Sequence, residues 1–242
     1  LGQNEHDVHR SSPTQVPGTN WKTINMGQSP CTTFATKTDG TTWAWGHGYW
    51  GSLAQNNRTT YSSPIQVPGS WDYVMSSKGN GGYTTIGRQT NGTLWSWGYS
   101  GGGQFGRNIG GASYASSPTQ IPGTTWSTEF VIGNRNAAAI KTDGTLWTWG
   151  LSTRGAIGDN NTTARSSPTQ VPGTTWSKVD TIEAYGMRAL KTDNTYWSWG
   201  ENAYGELGQN NRTNYSSPVQ LPGTWNQIFQ SGESAAFAAK AV

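Results

Sequence analysis

The pattern W-x-W-G occurs four times, at Trp43-x-Trp45-Gly46, Trp95-x-Trp97-Gly98, Trp147-x-Trp149-Gly150 and Trp197-x-Trp199-Gly200, with successive copies 52, 52 and 50 residues apart. A second string, S-S-P-x-Q-[VIL]-P-G, occurs five times, its first proline at Pro13, Pro64, Pro118, Pro168 and Pro218. A lone tryptophan follows each of these, at Trp21, Trp71, Trp126, Trp176 and Trp225. Self-similarity at a fixed period restricts the fold severely, because each unit must bury its apolar face against the next.

A period near 51 residues is the length of a four-stranded propeller blade. Strand A starts at the lone tryptophan, as in Trp176-Ser177-Lys178-Val179, and strand B is the small apolar run Ala137-Ala138-Ala139-Ile140-Lys141. Asp143-Gly144 then signals a hairpin, since Gly accepts a positive φ without a side-chain clash. In strand C, Thr145-Leu146-Trp147-Thr148-Trp149, the two indoles stand two residues apart and share a face. Strand D is the Ser-Ser-Pro segment, whose prolines cannot donate to a ladder and so suit a sheet edge. Gly and Pro interrupt every window in which a helical period could form, so the chain is read as all-β.

Composition supports a packed propeller only through its tryptophans. Hydrophobic residues are 32% of the chain, charged residues 12%, and glycines number 33, a balance that otherwise suits a disordered polymer. Fourteen tryptophans, each able to bury on the order of 150–250 Å², supply the missing core. At strict repeat spacing the W-x-W-G indoles are therefore read as packing between blades.

The run from Thr142 to Gly150, followed by residues 157–161 and 166–173, resembles the repeat of the regulator of chromosome condensation family. The resemblance covers essentially the whole chain and implies a β-propeller, commonly closed with seven blades in that family. The family's histidine at the start of strand B has no counterpart here; the corresponding places hold Cys31, Tyr83, Asn136, Gly186 or Met187, and Ser234. Neither the founding member's insertion for its small GTPase nor a basic N-terminal tail is evident, so nucleotide exchange and chromatin binding are not carried over. Other propellers of this repeat, including a secreted inhibitor of β-lactamases, present loops to a protein partner.

The whole chain, residues 1–242, reads as one propeller domain with partial repeats at both ends. Strands A, B and D occur five times and strand C four times. The chain opens mid-repeat at Leu1-Gly2-Gln3-Asn4, matching Leu207-Gly208-Gln209-Asn210. Two architectures fit: five blades, the last joining the N-terminal strand D to the C-terminal strands A and B, or an arc of a longer, seven-bladed ring. A mid-repeat start at Leu1 rather than Met favours a cut chain. A blade made from both ends is also how propellers lock their ring, however, and the five-blade unit is the preferred reading. A blade lacking a strand offers an edge for self-assembly by strand addition.

Comparing repeats assigns the faces. The B-to-C and D-to-A turns are nearly invariant and share one face of the sheet. The A-to-B and C-to-D loops on the opposite face differ in every blade, and diverged loops on a rigid scaffold are where binding residues concentrate. Tyr49, Trp50, Tyr99, Arg135, Arg154, Tyr185 and Tyr204 are the candidate partner-binding residues, since Trp, Tyr and Arg dominate binding hot spots.

The expected function is that of a non-enzymatic module binding a protein partner through this face, as part of an extracellular, cell-surface or virion-surface assembly. The alternatives are a carbohydrate-binding, lectin-like propeller and a structural subunit that assembles through its incomplete blade. A lectin would repeat its binding residues in every blade, and these loops do not repeat. His6, His9 and His47 lack metal-ligand spacing, no nucleophile elbow or phosphate loop appears, and no catalytic residue, metal or cofactor is assigned. The net charge of +3 carries no Lys/Arg run, which argues against nucleic acid. No apolar stretch approaches the roughly 20 residues of a membrane span. Cys31, the sole cysteine, excludes an intrachain disulfide and reads as a small buried hydrophobe.

Overall fold

Runs of Trp, Thr, Ser and small apolar residues are cut every few positions by Gly, Pro and Asn, so each repeat folds into short antiparallel strands. The computed structural model describes residues 2–3, 11–27, 31–77, 83–182, 185–229 and 237–240. Blade 1 comprises β1 (Trp21–Met26), β2 (Thr32–Lys37), β3 (Thr42–Gly46) and β4 (Tyr61–Val67); blade 2 comprises β5 (Trp71–Ser76), β6 (Thr84–Gln89), β7 (Leu94–Ser100) and β8 (Ser113–Gln120). Blade 3 holds β9 (Trp126–Ile132), β10 (Asn136–Lys141), β11 (Leu146–Gly150) and β12 (Arg165–Gln170). Blade 4 holds β13 (Trp176–Ile182), β14 (Gly186–Lys191), β15 (Tyr196–Gly200) and β16 (Tyr215–Leu221). A final two-stranded sheet pairs β17 (Trp225–Phe229) with β18 (Phe237–Lys240).

Within each complete sheet the order follows the chain, A-B-C-D, as the sequence predicts, with the proline-bearing strand at the edge. First strands of neighbouring blades pack on one another, β1 on β5, β5 on β9, β9 on β13 and β13 on β17, so the sheets converge at their A strands and fan apart at D. The result is a β-propeller of four four-stranded blades and an additional hairpin.

Three joints, each built by a repeated motif, hold one blade to the next. On the constant face, the N–H of three of the five lone tryptophans donates to the preceding blade's B-to-C turn: Trp126 to Gly92, Trp176 to Gly144 and Trp225 to Asn194. In the core, the second indole of W-x-W-G donates to the preceding C-to-D loop: Trp97 to the Ser52 carbonyl, Trp149 to Gln104 and Trp199 to Ala156. Nearer the periphery, the backbone N–H of Asn56, Asn108 and Asn160 donates to Ser116, Ser166 and Ser216 of the following strand D. These asparagines sit at φ near +60°, a conformation Asn tolerates better than most residues. The strings recognised in the sequence are thus clasps between blades as well as turns.

Packing follows the same logic. Phe34, Ala44 and Val67 of blade 1 meet Trp71, Val74 and Trp97 of blade 2, and Met75, Ile86, Leu94 and Ile121 of blade 2 meet Trp126, Phe130 and Trp149 of blade 3. Only half of each W-x-W pair is deep, however. Trp45, Trp97, Trp149 and Trp199 are buried, whereas Trp43, Trp95, Trp147 and Trp197 are half-buried. In three blades a lysine ammonium (Lys37, Lys141, Lys191) lies over the outer indole and the lone tryptophan.

The two ends differ from the interior. Gly2 approaches the Trp45 indole as Gly106 approaches Trp149, so Gly2 lies where a preceding blade's loop would lie. Beside it Gln15, Val16, Trp21, Ile24, Ala35 and Trp45 line a cavity of about 300 Å³. Residues 11–16 pair with neither β17 nor β18 among the described strand pairings. Residues 4–10, with His6 and His9, and the loop segments 28–30, 78–82, 183–184 and 230–236 lie outside the described residues.

Candidate functional site

Strand register fixes which loop residues occupy equivalent places. Thr32, Thr84, Asn136 and Gly186 each pair with the glycine of W-x-W-G. The residue before each, namely Cys31, Tyr83, Arg135 or Tyr185, offers its carbonyl to the N–H that follows that glycine, on His47, Tyr99, Leu151 or Glu201. This hydrogen bond turns the preceding side chain out of the sheet onto the variable face. It corrects two sequence readings. Cys31 is exposed, with φ of 52°, and not a buried hydrophobe. Its structural equivalents are Arg135 and Tyr185, one residue earlier than Asn136 and Gly186.

A second variable position holds His47, Tyr99, Leu151 and Glu201. A third holds Trp50, Gly102, Arg154 and Tyr204, each just before a glycine of positive φ. At each blade junction the third position of one blade meets the second position of the next, with different chemistry every time. Trp50 lies 5.0 Å from Tyr99, ring to ring. Gly102 stands beside Leu151. Arg154 reaches Glu201 at 3.6 Å. Tyr204, the fourth member, is 78% exposed and is followed by no further W-x-W-G strand.

The first junction gathers a cluster of six rings. Trp50 stacks on Tyr114 at 5.4 Å with 7° between planes, and lies over Tyr83 at 5.1 Å and Tyr99 at 5.0 Å. Tyr49 meets Trp50 edge-on at 4.7 Å, and His47 extends the group from 6.0 Å. The guanidinium of Arg58 stacks over Tyr114 at 4.5 Å. Tyr49 is 56% exposed and Tyr114 46%, so the cluster faces solvent despite its internal contacts.

Of the seven residues singled out from sequence, Tyr49, Trp50 and Tyr99 thus come together. Arg135, Arg154, Tyr185 and Tyr204 are distributed over the later blades, and among the described residues the ring contacts of the cluster do not reach the two tyrosines. Sequence reasoning did not select Tyr83, Tyr114 and Arg58. A signal for Tyr114 existed, because it replaces Thr60, Ala164 and Asn214 at the start of strand D. Among the described residues no group of three or more His, Cys, Asp or Glu side chains is arranged to hold a metal ion.

Residues 143–184 and 193–231 match the regulator of chromosome condensation (RCC1) repeat. The ultraviolet-B receptor UVR8 of Arabidopsis thaliana is 28% identical over 129 residues, which is 53% of this chain and 29% of that protein. The E3 ubiquitin-protein ligase HERC2 of Homo sapiens is 27% identical over 143 residues, 58% of this chain and 3% of its own length. The chain therefore spans less than a third of the curated relatives it matches. Among solved structures, Prp20p of Saccharomyces cerevisiae superposes with a TM-score of 0.73 at 17% identity, covering 88% of this chain and 53% of that one. Human WBSCR16 gives a TM-score of 0.68 at 18% identity, covering 93% and 58%. At such identities the likeness is one of fold, that of a β-propeller.

Proposed function

We propose that this chain of RCC1-type repeats is a non-enzymatic protein-interaction module whose variable-loop face holds the partner. The observation that carries the reading is the exposed aromatic cluster around Trp50, set on a face where two of the three variable positions differ in every blade while repeated joints lie beneath them. Exposed Trp and Tyr on a rigid support are favoured hot-spot residues because they bury large areas while ordering few torsions. Propellers of the same repeat engage proteins: Prp20p has binding properties toward Gsp1p and histones, and Kap60 has been crystallised with it.

The carbohydrate-binding alternative draws less support. Three of the four outer indoles that repeat from blade to blade, Trp43, Trp147 and Trp197, carry a lysine over their rings, which occupies the surface a sugar would stack on. Assembly through the free end of the stack is a second reading with its own observation. Ile24 and Met26 on β1 are 64% and 71% exposed, whereas their register equivalents on β9, Phe130 and Ile132, are buried under blade 2.

Affinity capture with the wild-type chain and with Tyr49→Ala and Trp50→Ala variants, quantified side by side, tests the first reading. Selective loss of protein partners from both variants is expected; an unchanged partner set overturns it. Saturable binding on a glycan array would favour the lectin instead, and a concentration-dependent mass in sedimentation, lost on Ile24→Asp, would favour assembly.

A further inference from the structure

We propose that the aromatic cluster captures an acidic peptide segment of a partner protein, with Arg58 as the residue that pairs with its carboxylate. The inference rests on the reading of this face as a protein-binding surface and adds the chemistry of what it binds.

Charge is distributed unevenly along the chain. Between residues 40 and 128 the sequence has four cations (Arg58, Lys78, Arg88 and Arg107) and a single carboxylate, Asp72. Acidic and basic residues balance both before and after this stretch, so it accounts for the whole net charge of +3. Asp72 is itself taken up by an ion pair with Arg88. The aromatic cluster and the charge excess therefore fall on the same two blades.

Arg58 stands apart from the arginines that have ion-pair partners. Arg154 has Glu201, Arg165 has Asp159 and Arg188 has Asp180. Among the described residues no carboxylate pairs with Arg58, and its guanidinium lies over the Tyr114 ring at 4.5 Å. A guanidinium held over an aromatic ring keeps N–H donors for a bidentate carboxylate.

The rings favour the same ligand. Trp50 packs against Tyr114, Tyr83 and Tyr99, so its own ring faces are taken up within the cluster, while Tyr49 and Tyr114 remain open to solvent. Aromatic edges are the positive side of the ring quadrupole and attract anions. A nucleic-acid strand would also need a basic track for its phosphates, and the sequence carries no run of Lys and Arg.

Random peptides displayed against the wild-type chain and counter-selected on the Tyr49→Ala variant provide the test, followed by fluorescence polarisation of a resynthesised hit. Enrichment of Asp and Glu is expected, with affinity falling as salt rises and falling about tenfold or more on Arg58→Gln, the loss of one charge-assisted contact. Selected peptides that depend on Tyr49 but show no acidic bias overturn this proposal and leave the protein-binding reading standing. Recovery of no Tyr49-dependent peptide counts against both. Tighter binding of a single-stranded oligothymidine than of the acidic hit would assign the cluster to nucleic acid and overturn the proposal.

Discussion

The indole N–H of Trp149 in blade 3 donates to the Gln104 carbonyl of blade 2 at 2.8 Å, and both groups are buried. The bond crosses a blade boundary, and Trp97 to Ser52 and Trp199 to Ala156 repeat it. Each blade thus hands the next a carbonyl that only an indole at the second W-x-W position can satisfy. Trp149→Phe keeps an aromatic ring there but leaves the Gln104 carbonyl without its donor and opens a small void. The expected cost is ~2–4 kcal/mol, combining an unsatisfied buried acceptor with a cavity. Urea unfolding monitored by circular dichroism would measure it, and a midpoint equal to wild type would contradict the joint's importance.

The glycine of W-x-W-G has a cause distinct from turn geometry. Gly150 has φ of 105°, and a Cβ there would strike the Arg135 carbonyl, which accepts the Leu151 N–H at 2.8 Å. Gly150→Ala should therefore destabilise by about 2 kcal/mol or more through backbone strain. It should also loosen the loop carrying Arg135, visible as faster amide exchange at Leu151.

The acidic turns make stability depend on pH in a defined direction. Asp143 Oδ1 accepts from both the N–H and the hydroxyl of Thr145, and that hydroxyl accepts the Trp147 indole N–H. The Thr145 hydrogen bonds hold the Asp143 carboxyl below its ordinary value near 3.8; Asp39 and Asp193 are lowered the same way by Thr41 and Thr195. A lowered folded-state value means the contribution is complete above the unfolded value and lost as pH falls through the folded one. Blade 2 already carries Asn91 in this role, bonded identically to Thr93. Replacing Asp39, Asp143 and Asp193 together by Asn should leave stability at neutral pH nearly unchanged and flatten its decline below about pH 4. Thermal melts across that range provide the check, and an acid dependence identical to wild type would rule the turns out as its source.

Much of this architecture was legible because repetition substitutes for an alignment. Strand order, the edge position of the proline strand and the two classes of face follow from where Gly, Pro and the paired tryptophans fall. The candidate site was legible only in part. Tyr49, Trp50 and Tyr99 stood out by type and loop, but Tyr83 and Tyr114 approach Trp50 from a different blade, and spacing along the chain carries no record of that approach. Cys31 was misplaced because a one-residue register decides whether a side chain enters the sheet or leaves it, and the hydrogen bond from the His47 N–H to its carbonyl is a tertiary fact.

Arg154 allows binding to be separated from stability. It is 54% exposed and reaches Glu201 at 3.6 Å. An exposed pair of this kind is worth roughly 0–1 kcal/mol. Arg154→Ala should leave the unfolding midpoint close to wild type, so any loss of partner binding would report a direct contact. A large drop in stability would instead make this residue part of the scaffold.

The last complete blade contains a buried ion pair where blades 2 and 3 are apolar. Arg188 is fully buried and donates from Nη2 to Asp180 Oδ2 at 2.7 Å. The register equivalents of Arg188 are Phe34, Ile86 and Ala138, and those of Asp180 are Asn25, Met75 and Val131. Burial raises the Tyr196 phenol above its ordinary value while Arg188 opposes the shift, which places the hydroxyl in the same enclosed group. Removing one charge leaves the other desolvated, so Asp180→Val alone should cost ~3–5 kcal/mol. Replacing both, as Asp180→Val with Arg188→Ile, restores the apolar pairing of blades 2 and 3 and should return stability to within about 1 kcal/mol of wild type or above it. Chemical denaturation of the two singles and the double gives the coupling directly. If the double variant is as unstable as the sum of its parts, the pair is not a self-contained unit, and Arg188 is held chiefly by other groups of that blade.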